Sequence, residues 1–319
     1  MPGQFLKHWS HRLRHWYSMF AGTSYYHQPQ NKGRAFIPGK LHGYFNDLTG
    51  KADWQGNLDD RGLPFNTLTS GQIVYFPVVL CQKALGHWDR WLMHSRPEDR
   101  QRFLDVAGWL VDHQESTGGW NTWGLLSPAT KYRYSAMTQG EAVSVMVRAH
   151  SLTGAETFEK ACRRGLSLMQ KPVGEGGVCC RESSEVFLEE YPGPVRDTVL
   201  NGWLFALFGI YDYLLRFPDE GMREFFCASL GSCVRALQTF DAGFWSYYSS
   251  GTKRLASPFY HQLHLGQLEA LSQITSDPLV ALTHDKWKGY AESRIQTLRA
   301  VALKGMQKFR EPRENTLVD

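Results

Sequence analysis

From about residue 71 onward the chain is a succession of segments with helical periodicity, and this pattern most constrains its fold. Joints that contain Gly or Pro separate the segments, and the links between them are alternately short and long. We predict helices near residues 74–93, 98–114, 136–153, 155–170, 196–216, 219–239, 259–274 and 278–308. Helices joined by short links pack antiparallel, so the order predicts a mainly α fold, an (α/α) barrel or toroid of helical hairpins.

The residues before this region differ in composition. Residues 21–70 are rich in Gly, Pro, Asn and Asp with interspersed Phe and Tyr, which predicts short strands and a β-hairpin. We therefore divide the chain into a basic N-terminal arm with an amphipathic helix and a β-hairpin segment (1–70), an (α/α)-barrel domain (71–310) and a polar tail (311–319).

The charge of the chain is concentrated at its beginning. The net charge is only +4, but no Asp or Glu precedes Asp47, while six Lys and Arg residues do. Such an arm predicts an anionic partner, either an acidic polysaccharide or a lipid surface. We expect no nucleic acid partner, because the sequence carries no recognition motif. Residues 5–20 form a basic amphipathic helix pattern, which fits packing on its own domain or peripheral contact with an anionic membrane.

The cysteines and the absence of long apolar runs bear on the compartment. The six cysteines have no paired C-x-x-C spacing, so we expect reduced thiols that are mostly buried. The first 25 residues have no continuous apolar run, and no segment is apolar enough to span a bilayer. The expected location is cytoplasmic, with peripheral contact at the inner face of the membrane as a variant.

Histidines do not form a metal-binding pattern in this sequence. Two sets share a predicted helix face, namely His8, His11 and His15 in the arm, and His261 with His264 in a later helix. Neither set has carboxylates at ligand spacing, so we predict no metal site.

Acidic and phenolic side chains occur in the long links, which we expect to gather at one end of the barrel. Glu190 and Tyr191 lie in a link bounded by prolines, Tyr248 lies in a later link, and Tyr260 opens the next helix. A carboxylate and phenols around one substrate can remove and return a proton. Four cations in or beside these links could lower a phenol pKa or hold an anionic substrate: Arg133, Arg196, Lys253 and Arg254. Solvated acids and packed tyrosines remain the alternative interpretation.

Several of these segments together resemble the glucuronyl C5-epimerases, which convert D-glucuronate to L-iduronate in heparan-type polysaccharide. Residues 134–142 resemble their Y-S-A-M-x-Q-G-x-A segment, residues 189–202 their E-E-Y-P…L-N-G segment, and residues 260–268 their Y-H-x-x-H…Q-L segment. Residues 62–64, 75–77 and 118–120 resemble further blocks. The resemblance runs from about residue 40 to residue 300, and it is that of a shortened member that keeps the helical barrel and part of the hairpin.

The resemblance implies roles for individual residues. It implies catalytic roles for Glu190, Tyr191, Tyr248 and Tyr260. We assign further residues of these segments and of the links to substrate binding: Tyr75, Trp120, Tyr134, Gln139, Asn201, Tyr247, Lys253, Arg254, His261 and His264. One departure stands out, because Ser249-Ser250-Gly251 replaces the Asp-Leu-Arg that follows the catalytic tyrosine in the family. Lys253 or Arg254 is the candidate replacement for that arginine.

The expected function is therefore uronate C5-epimerisation in an acidic glycan, a reaction that needs no cofactor. Two alternatives stay open: a polysaccharide lyase, which begins with the same proton abstraction, and a non-catalytic protein that binds acidic polysaccharide. Helical toroids of this family tend to pair, so a homodimer is one expectation and the oligomeric state stays open.

Overall fold

A computed structural model describes residues 28–54 and 56–310 of the chain, with the side chains of residues 309 and 310 left out. Its α-helices are α1 (Pro77–His94), α2 (Pro97–Asp112), α3 (Trp123–Leu126), α4 (Ala136–Thr153), α5 (Glu156–Gln170), α6 (Leu200–Arg216), α7 (Glu220–Ala236), α8 (Pro258–Leu271), α9 (Pro278–Glu292) and α10 (Arg294–Arg310). Its strands are β1 (Asn66–Thr67), β2 (Ile73–Val74), β3 (Cys179–Glu182) and β4 (Glu185–Leu188).

The long helices form antiparallel hairpins with an inner and an outer member. The hairpins are α1 with α2, α4 with α5, α6 with α7, and α8 with α9. Each inner helix packs against the next, in the order α1, α4, α6, α8. Helix α4 is buried at every residue from Thr138 to His150, because it lies between α1 and α6 and beneath α5. The predicted mainly α fold with an (α/α) barrel of hairpins is confirmed.

Helices α4 and α6 approach each other closely because glycines face one another at their crossing. A Cβ atom on Gly140 would lie 2.5 Å from the carbonyl oxygen of Phe205, and one on Gly209 would lie 2.2 Å from the carbonyl oxygen of Gly140. Larger residues there would push the backbones apart. The glycine in the residue 134–142 segment is therefore required by helix packing.

Residues 28–54 contact three helices of the barrel, α8, α6 and α1. Lys32 pairs with Glu269 of α8 at 3.0 Å, the ring of Phe45 stacks on Phe208 of α6 at 4.2 Å, and the backbone N–H of Tyr44 donates to Asp89 of α1 at 2.9 Å. This segment therefore shares one hydrophobic core with the helices. The hairpin of β1 and β2 lies on both sides of the predicted domain boundary at residue 70.

Two elements differ from the sequence-based prediction. The predicted helix over residues 278–308 is interrupted at Ser293, whose backbone is extended and whose carbonyl accepts from the N–H of Thr297 at 2.9 Å. Strands β3 and β4 form an antiparallel hairpin inside a link that was expected to be irregular. Its turn contains Ser183, which has a φ of 53°, a conformation more often taken by Gly or Asn.

The described cysteines are all unpaired; four are buried, Cys180 is half-buried and Cys227 is exposed. None of the helices within residues 28–54 and 56–310 combines the length and apolar character needed to cross a bilayer. The predicted amphipathic helix at residues 5–20, its histidines and the polar tail at residues 311–319 lie outside the described residues.

Candidate active site

Two links and the first turn of α8 bring one carboxylate and three phenols together at one end of the barrel. Glu190 and Tyr191 follow strand β4, Tyr248 lies in the link before α8, and Tyr260 lies in the first turn of α8. The Tyr248 hydroxyl donates to Glu190 Oε1 at 3.4 Å, and the Tyr248 and Tyr260 ring centroids are 4.7 Å apart. We call Glu190, Tyr191, Tyr248 and Tyr260 the acid–phenol cluster.

Glu190 is held from several directions. Its backbone carbonyl accepts from Trp123 Nε1 at 2.8 Å, and Asn201 Nδ2 lies 3.5 Å from its Oε2. A Cβ atom on Gly202 would lie 2.3 Å from that same oxygen. The Leu-Asn-Gly sequence at the start of α6 therefore provides an amide beside the carboxylate and, at the glycine, the space the carboxylate occupies.

The side chain of Glu189, the residue before Glu190, makes its hydrogen bond outside the cluster. The Thr198 hydroxyl donates to its Oε1 at 2.5 Å, and the side chain is 2% exposed. Burial raises the pKa of Glu189 to about 7, partly offset by the Thr198 hydrogen bond. Of the two adjacent acids, Glu190 alone belongs to the acid–phenol cluster.

Burial governs the protonation of the cluster. It raises the pKa of Glu190 to about 7, while hydrogen bonds from Tyr191 and Tyr248 and the charge of Arg254 act in the opposite direction. The pKa of Tyr260 is also raised, by burial and then by the nearby Glu190 carboxylate. The pKa of Tyr248 lies well above its ordinary value for the same two reasons. The charge of Arg254 does act to lower the pKa of Tyr260, as expected of a nearby cation, but burial and Glu190 outweigh it. The phenols are therefore protonated at neutral pH.

The side chain of Tyr191 reaches from the protein surface into the buried cluster. Its ring stacks on Trp123 with centroids 4.4 Å apart, and 43% of the residue is exposed. Its hydroxyl nevertheless lies deep, in contact with Glu190 and Tyr248, so burial and the Glu190 charge raise its pKa. The hydroxyl of Tyr191 thus belongs to the buried cluster, while its ring is partly exposed at the surface.

Two neighbouring cations point to opposite faces of the link before α8. The guanidinium of Arg254 lies 5.4 Å from the Tyr248 ring centroid and 3.9 Å from Asp197, and its charge acts on Glu190 and Tyr260. Lys253 instead donates to the Thr239 carbonyl at 2.6 Å. Arg254 is therefore the cation that faces the cluster.

Tyr247 and Lys253 belong to a different place. They line a separate cavity of about 460 Å³ with Phe244, Leu303 and Met306, between this link and α10. Lys253 Nζ lies 5.4 Å from the Tyr247 ring centroid. These two residues, which were assigned to substrate binding, are not brought together with the acid–phenol cluster.

Arg133 and Arg196 are also directed elsewhere. Arg133 pairs with Glu115 at 3.0 Å, and Arg196 pairs with Glu182 at 2.9 Å. The Arg196 guanidinium also lies 4.0 Å from the Phe187 ring centroid. Of the four cations that the sequence placed near the links, Arg254 is the one that acts on Glu190 and Tyr260.

The two histidines of α8 fix the link that carries Tyr248. The Ser246 hydroxyl lies 2.8 Å from His261 Nδ1 and 2.9 Å from His264 Nδ1, and His261 Nε2 donates to the Trp287 carbonyl at 3.1 Å. Burial lowers the pKa of His261 to about 4. Both histidines are at most 1% exposed and hold this link in place, and their assignment to substrate binding stays a prediction.

Two residues of the link before α4, Trp120 and Tyr134, and one in the first turn of that helix, Gln139, are buried in the same way. Gln139 accepts from the backbone N–H of Trp120 and donates to its carbonyl, each at 2.9 Å. Trp120 and Gln139 are 0% exposed. Tyr134, 3% exposed, donates to Glu115 at 2.5 Å. These residues expose almost no surface to a ligand, and their assignment to substrate binding stays a prediction.

Tyr75 and Asn201 complete the predicted set. The Tyr75 hydroxyl donates to Asp59 at 3.2 Å, beyond β2 and outside the cluster. Asn201 is 1% exposed and reaches the cluster through Glu190. Its carbonyl accepts from Gln267 Nε2 at 3.1 Å, which joins α6 to α8 beneath the cluster.

Sequence reasoning missed two residues near the cluster. Trp123 contacts both Glu190 and Tyr191, and its place three residues after Trp120 of the Gly-Gly-Trp turn was the available signal. Glu141 is 0% exposed, accepts from Gln82 Nε2 at 3.0 Å, and has a pKa raised to about 8 by burial. The negative charges of Glu141 and Glu190 repel each other, which also raises the pKa of Glu141. Its position within the residue 134–142 segment was the signal there.

Comparison with known proteins gives a consistent family signal. The family model described as D-glucuronyl C5-epimerase C-terminus matches residues 123–289, just over half of the chain. D-glucuronyl C5-epimerase of Caenorhabditis elegans is 31% identical over 224 residues, which cover 63% of this chain and 36% of that protein. An uncharacterised protein of Methanocaldococcus jannaschii is 26% identical over 157 residues, 48% of this chain and 51% of that protein. The chain thus spans about a third to a half of these relatives.

Solved structures give weaker matches. An unsaturated glucuronyl hydrolase from Bacillus sp. GL1, responsible for the degradation of glycosaminoglycan, superposes with a TM-score of 0.47 at 16% identity. The match covers 70% of this chain and 61% of that chain. A glycosyl hydrolase of family 88 from Bacteroides vulgatus matches with a TM-score of 0.44 at 12% identity, over 68% of this chain and 60% of that chain.

Proposed function

This chain belongs to the D-glucuronyl C5-epimerase C-terminus family, and on that premise we propose that it converts D-glucuronate to L-iduronate residues in an acidic glycan. The observation that carries the proposal is the acid–phenol cluster, in which a buried carboxylate with a pKa of about 7 lies among phenols that stay protonated. Epimerisation at C5 needs a base on one side of the carbon and an acid on the other. The cluster contains both.

Glu190 is the proposed base. A base that acts near neutral pH is most effective when its own pKa is close to that pH. Glu190 takes the proton from C5 of a glucuronate residue, and the electron pair of the broken C–H bond moves into the adjacent carboxylate. Glu190 becomes a neutral acid, a change that its buried position favours.

Tyr260 is the proposed acid. Its raised pKa keeps the phenol protonated and ready to donate. The phenol gives its proton to the opposite face of C5, which inverts that centre, and the electron pair returns from the carboxylate to carbon. Tyr260 then regains a proton from solvent while Glu190 releases one. The protonation states favour this direction, because the reverse reaction starts from a tyrosinate whose formation burial disfavours.

The other members of the site stabilise the charge that develops on the uronate. The carboxylate gains a second negative charge as C5 loses its proton, so donors directed at it lower the barrier. Tyr191 and Tyr248 offer hydroxyl donors. Arg254 supplies the cation, and its Nε is buried without a hydrogen-bond partner among the described residues. We assign Arg254 the role of the arginine that this chain lacks after Tyr248.

A product analysis tests the reaction. The protein is incubated with heparosan, in which glucuronate alternates with an uncharged N-acetylated hexose, and the product is followed by NMR and by ultraviolet absorbance. The proposal predicts iduronate signals without new absorbance. New absorbance from an unsaturated uronate would instead establish a lyase. Binding of the glycan without either change would establish a non-catalytic binding protein, the alternative that the Ser249-Ser250-Gly251 sequence favours.

A further inference from the structure

The last described helix, α10, exposes large apolar side chains to solvent. Ile295, Leu298 and Met306 are 80%, 70% and 51% exposed, and Ala302 between them is exposed as well. Their spacing of three or four residues places them along one side of the helix. We call these four residues the α10 stripe. A contiguous exposed apolar surface of this kind marks an interaction site with a protein or a membrane.

The side of α10 that packs against the protein is partly polar. Gln307 Oε1 accepts from the backbone N–H of Leu255 at 3.0 Å, the Arg299 guanidinium lies 3.9 Å from the Phe244 ring centroid, and Ala300 is buried in the contact. A helix that served only to complete its own domain would turn its largest apolar side chains inward. Helix α10 instead exposes several of them, and nothing within residues 28–54 and 56–310 covers the α10 stripe.

Positive charge surrounds the α10 stripe. Residues 294–310 contain three Arg, two Lys and no Asp or Glu, which gives a net charge of +5. The neighbouring α9 contains two acids and two lysines, so the excess belongs to α10. Arg294 and Arg299 are both exposed, and with about 3.6 residues per turn they lie on either side of the stripe. The surface therefore suits a partner that is negatively charged outside and apolar beneath.

Charge and chemistry argue against three other occupants. A second copy of α10 would bring the same positive charge to the contact, and like charges placed together oppose binding. Residues 5–20, the predicted amphipathic segment, contain Lys7, Arg12 and Arg14 and no acid, so they would repel α10 as well. An acidic glycan would neutralise the cations, but its hydroxyl-covered rings offer little apolar surface to aliphatic side chains.

We propose that α10 is a docking surface for an anionic lipid bilayer, in which the α10 stripe enters the acyl boundary and the flanking cations contact the phosphate headgroups. A basic amphipathic helix lies in the plane of the interface with its apolar face about 5–10 Å deep. Its affinity combines the buried apolar area with attraction to the anionic headgroups, and neither contribution alone gives firm binding. This proposal does not depend on the proposed function.

Docking through α10 would bring the lipid surface near the link that carries Tyr248. The Lys253 carbonyl of this link accepts from Gln307 Nε2 of α10 at 3.5 Å. A cavity of about 460 Å³ lies between the two elements, and Leu303 and Met306 line it from α10. Because Met306 belongs to both the cavity and the α10 stripe, the apolar surface continues toward the link. A protein docked in this way would hold that link beside the headgroups.

Vesicle co-sedimentation tests the docking surface. The full chain is mixed with vesicles of phosphatidylcholine alone, or with vesicles in which about a third of the lipid is phosphatidylserine. We expect binding to the anionic vesicles, at least roughly tenfold weaker binding to the neutral ones, and weaker binding to the anionic vesicles at high salt. No binding to the anionic vesicles, or equal binding to both kinds, would overturn the proposal.

Variants locate the binding on α10. Ile295→Gln combined with Leu298→Gln removes two aliphatic side chains from the stripe and should weaken binding roughly tenfold or more. Arg294→Gln should weaken it roughly fivefold, the effect of one cation near an anionic surface. Leu58→Gln, at a leucine that is 44% exposed outside α10, is the matched control and should bind as wild type does. Circular dichroism checks the folding of each variant. Wild-type binding by the double variant would overturn the proposal, because another segment would then carry it.

Two further measurements on the double variant test the excluded occupants. Its oligomeric state in size-exclusion chromatography should equal that of wild type, and a change from dimer to monomer would assign the stripe to a second copy instead. Its affinity for heparosan, measured by calorimetry, should also equal that of wild type, and a loss would assign α10 to the glycan. Either change would overturn the proposal. None of these measurements uses turnover, so they remain decisive even if the protein is not an epimerase.

Discussion

At the scale of single residues, Glu190 combines two properties that a proton-transferring carboxylate needs. It is 6% exposed, and its pKa of about 7 lets it exist in both protonation states near neutral pH. Burial raises that pKa, and the positive charge of Arg254 limits the rise. The balance between these two causes sets the pH at which the base is active. Replacing the cation should therefore change that pH.

Arg254→Gln should raise the pKa of Glu190, because the cation that favours the ionised carboxylate is lost. The rising limb of kcat/KM against pH, which reports the free enzyme, should move upward by roughly half a pH unit or more. The maximal value of kcat/KM should also fall, since Arg254 is the proposed partner of the uronate carboxylate. Lys253→Gln removes an adjacent cation that points to the opposite face, and it should leave the midpoint in place. Equal shifts in the two variants would contradict the assignment.

At the scale of elements, the start of α6 is shaped around the Glu190 carboxylate. Gly202→Ala should displace that carboxylate, because the new Cβ would lie 2.3 Å from its Oε2. We expect a loss of roughly a hundredfold or more in kcat, as for a misplaced general base. Gly289→Ala in α9 is the control, because no atom lies within 4 Å of a Cβ there, and it should leave activity unchanged and stabilise the helix slightly. Full activity in Gly202→Ala would show that the site tolerates the shift.

The helices themselves could be predicted from the sequence because periodicity and Gly or Pro breakers mark them directly. The break at Ser293 was missed, although Ser293 followed by Gln296 matches the capping-box spacing that begins a helix. The β3–β4 hairpin was missed because its turn contains Ser183 and Ser184 and no Gly or Asn. In both places the local signal was weaker than the tertiary contacts that decide the structure.

The residues of the candidate site could likewise be predicted only in part from the sequence. The resemblance named Glu190, Tyr191, Tyr248 and Tyr260, and the structure brings these four together. The motif residues Gln139, His261 and His264 are instead buried supports. Sequence similarity marks a position without saying whether its side chain faces the cleft or the core, and that direction depends on packing. Trp123 was missed for the converse reason, since its contacts with the site exist only in the folded chain.

At the scale of the whole molecule, several acids are buried in the barrel without a full partner. Burial raises the pKa of Glu141 to about 8 and those of Asp89, Glu189 and Glu190 to about 7. These values exceed the pKa of the same groups in an unfolded chain. The native state therefore binds more protons than the unfolded state between about pH 4.5 and pH 8, and its stability falls as pH rises through the native pKa values.

The free energy of unfolding should therefore be higher at pH 6.5 than at pH 8, by roughly 1 to 3 kcal/mol, since each unit of pKa difference is worth about 1.4 kcal/mol. Below about pH 6.5 the neutral buried His261 and His264 oppose the trend, because they gain protons on unfolding. Urea denaturation at the two pH values measures the difference. Glu141→Gln should reduce it. A protein more stable at pH 8 would contradict the burial of these acids.

The central claim is that Glu190 and Tyr260 act on opposite faces of C5, and solvent deuterium incorporation tests it most directly. Wild type, Glu190→Gln, Tyr260→Phe and the control Glu175→Gln are incubated with heparosan in deuterated water, and deuterium at C5 is followed by NMR. Wild type and Glu175→Gln should incorporate deuterium at similar rates. Glu190→Gln should incorporate deuterium roughly a hundredfold or more slowly, and Tyr260→Phe should form iduronate more slowly by a similar factor, while both remain folded by circular dichroism. Wild-type incorporation in Glu190→Gln, or wild-type formation of iduronate in Tyr260→Phe, would contradict the assignment of the acid–base pair.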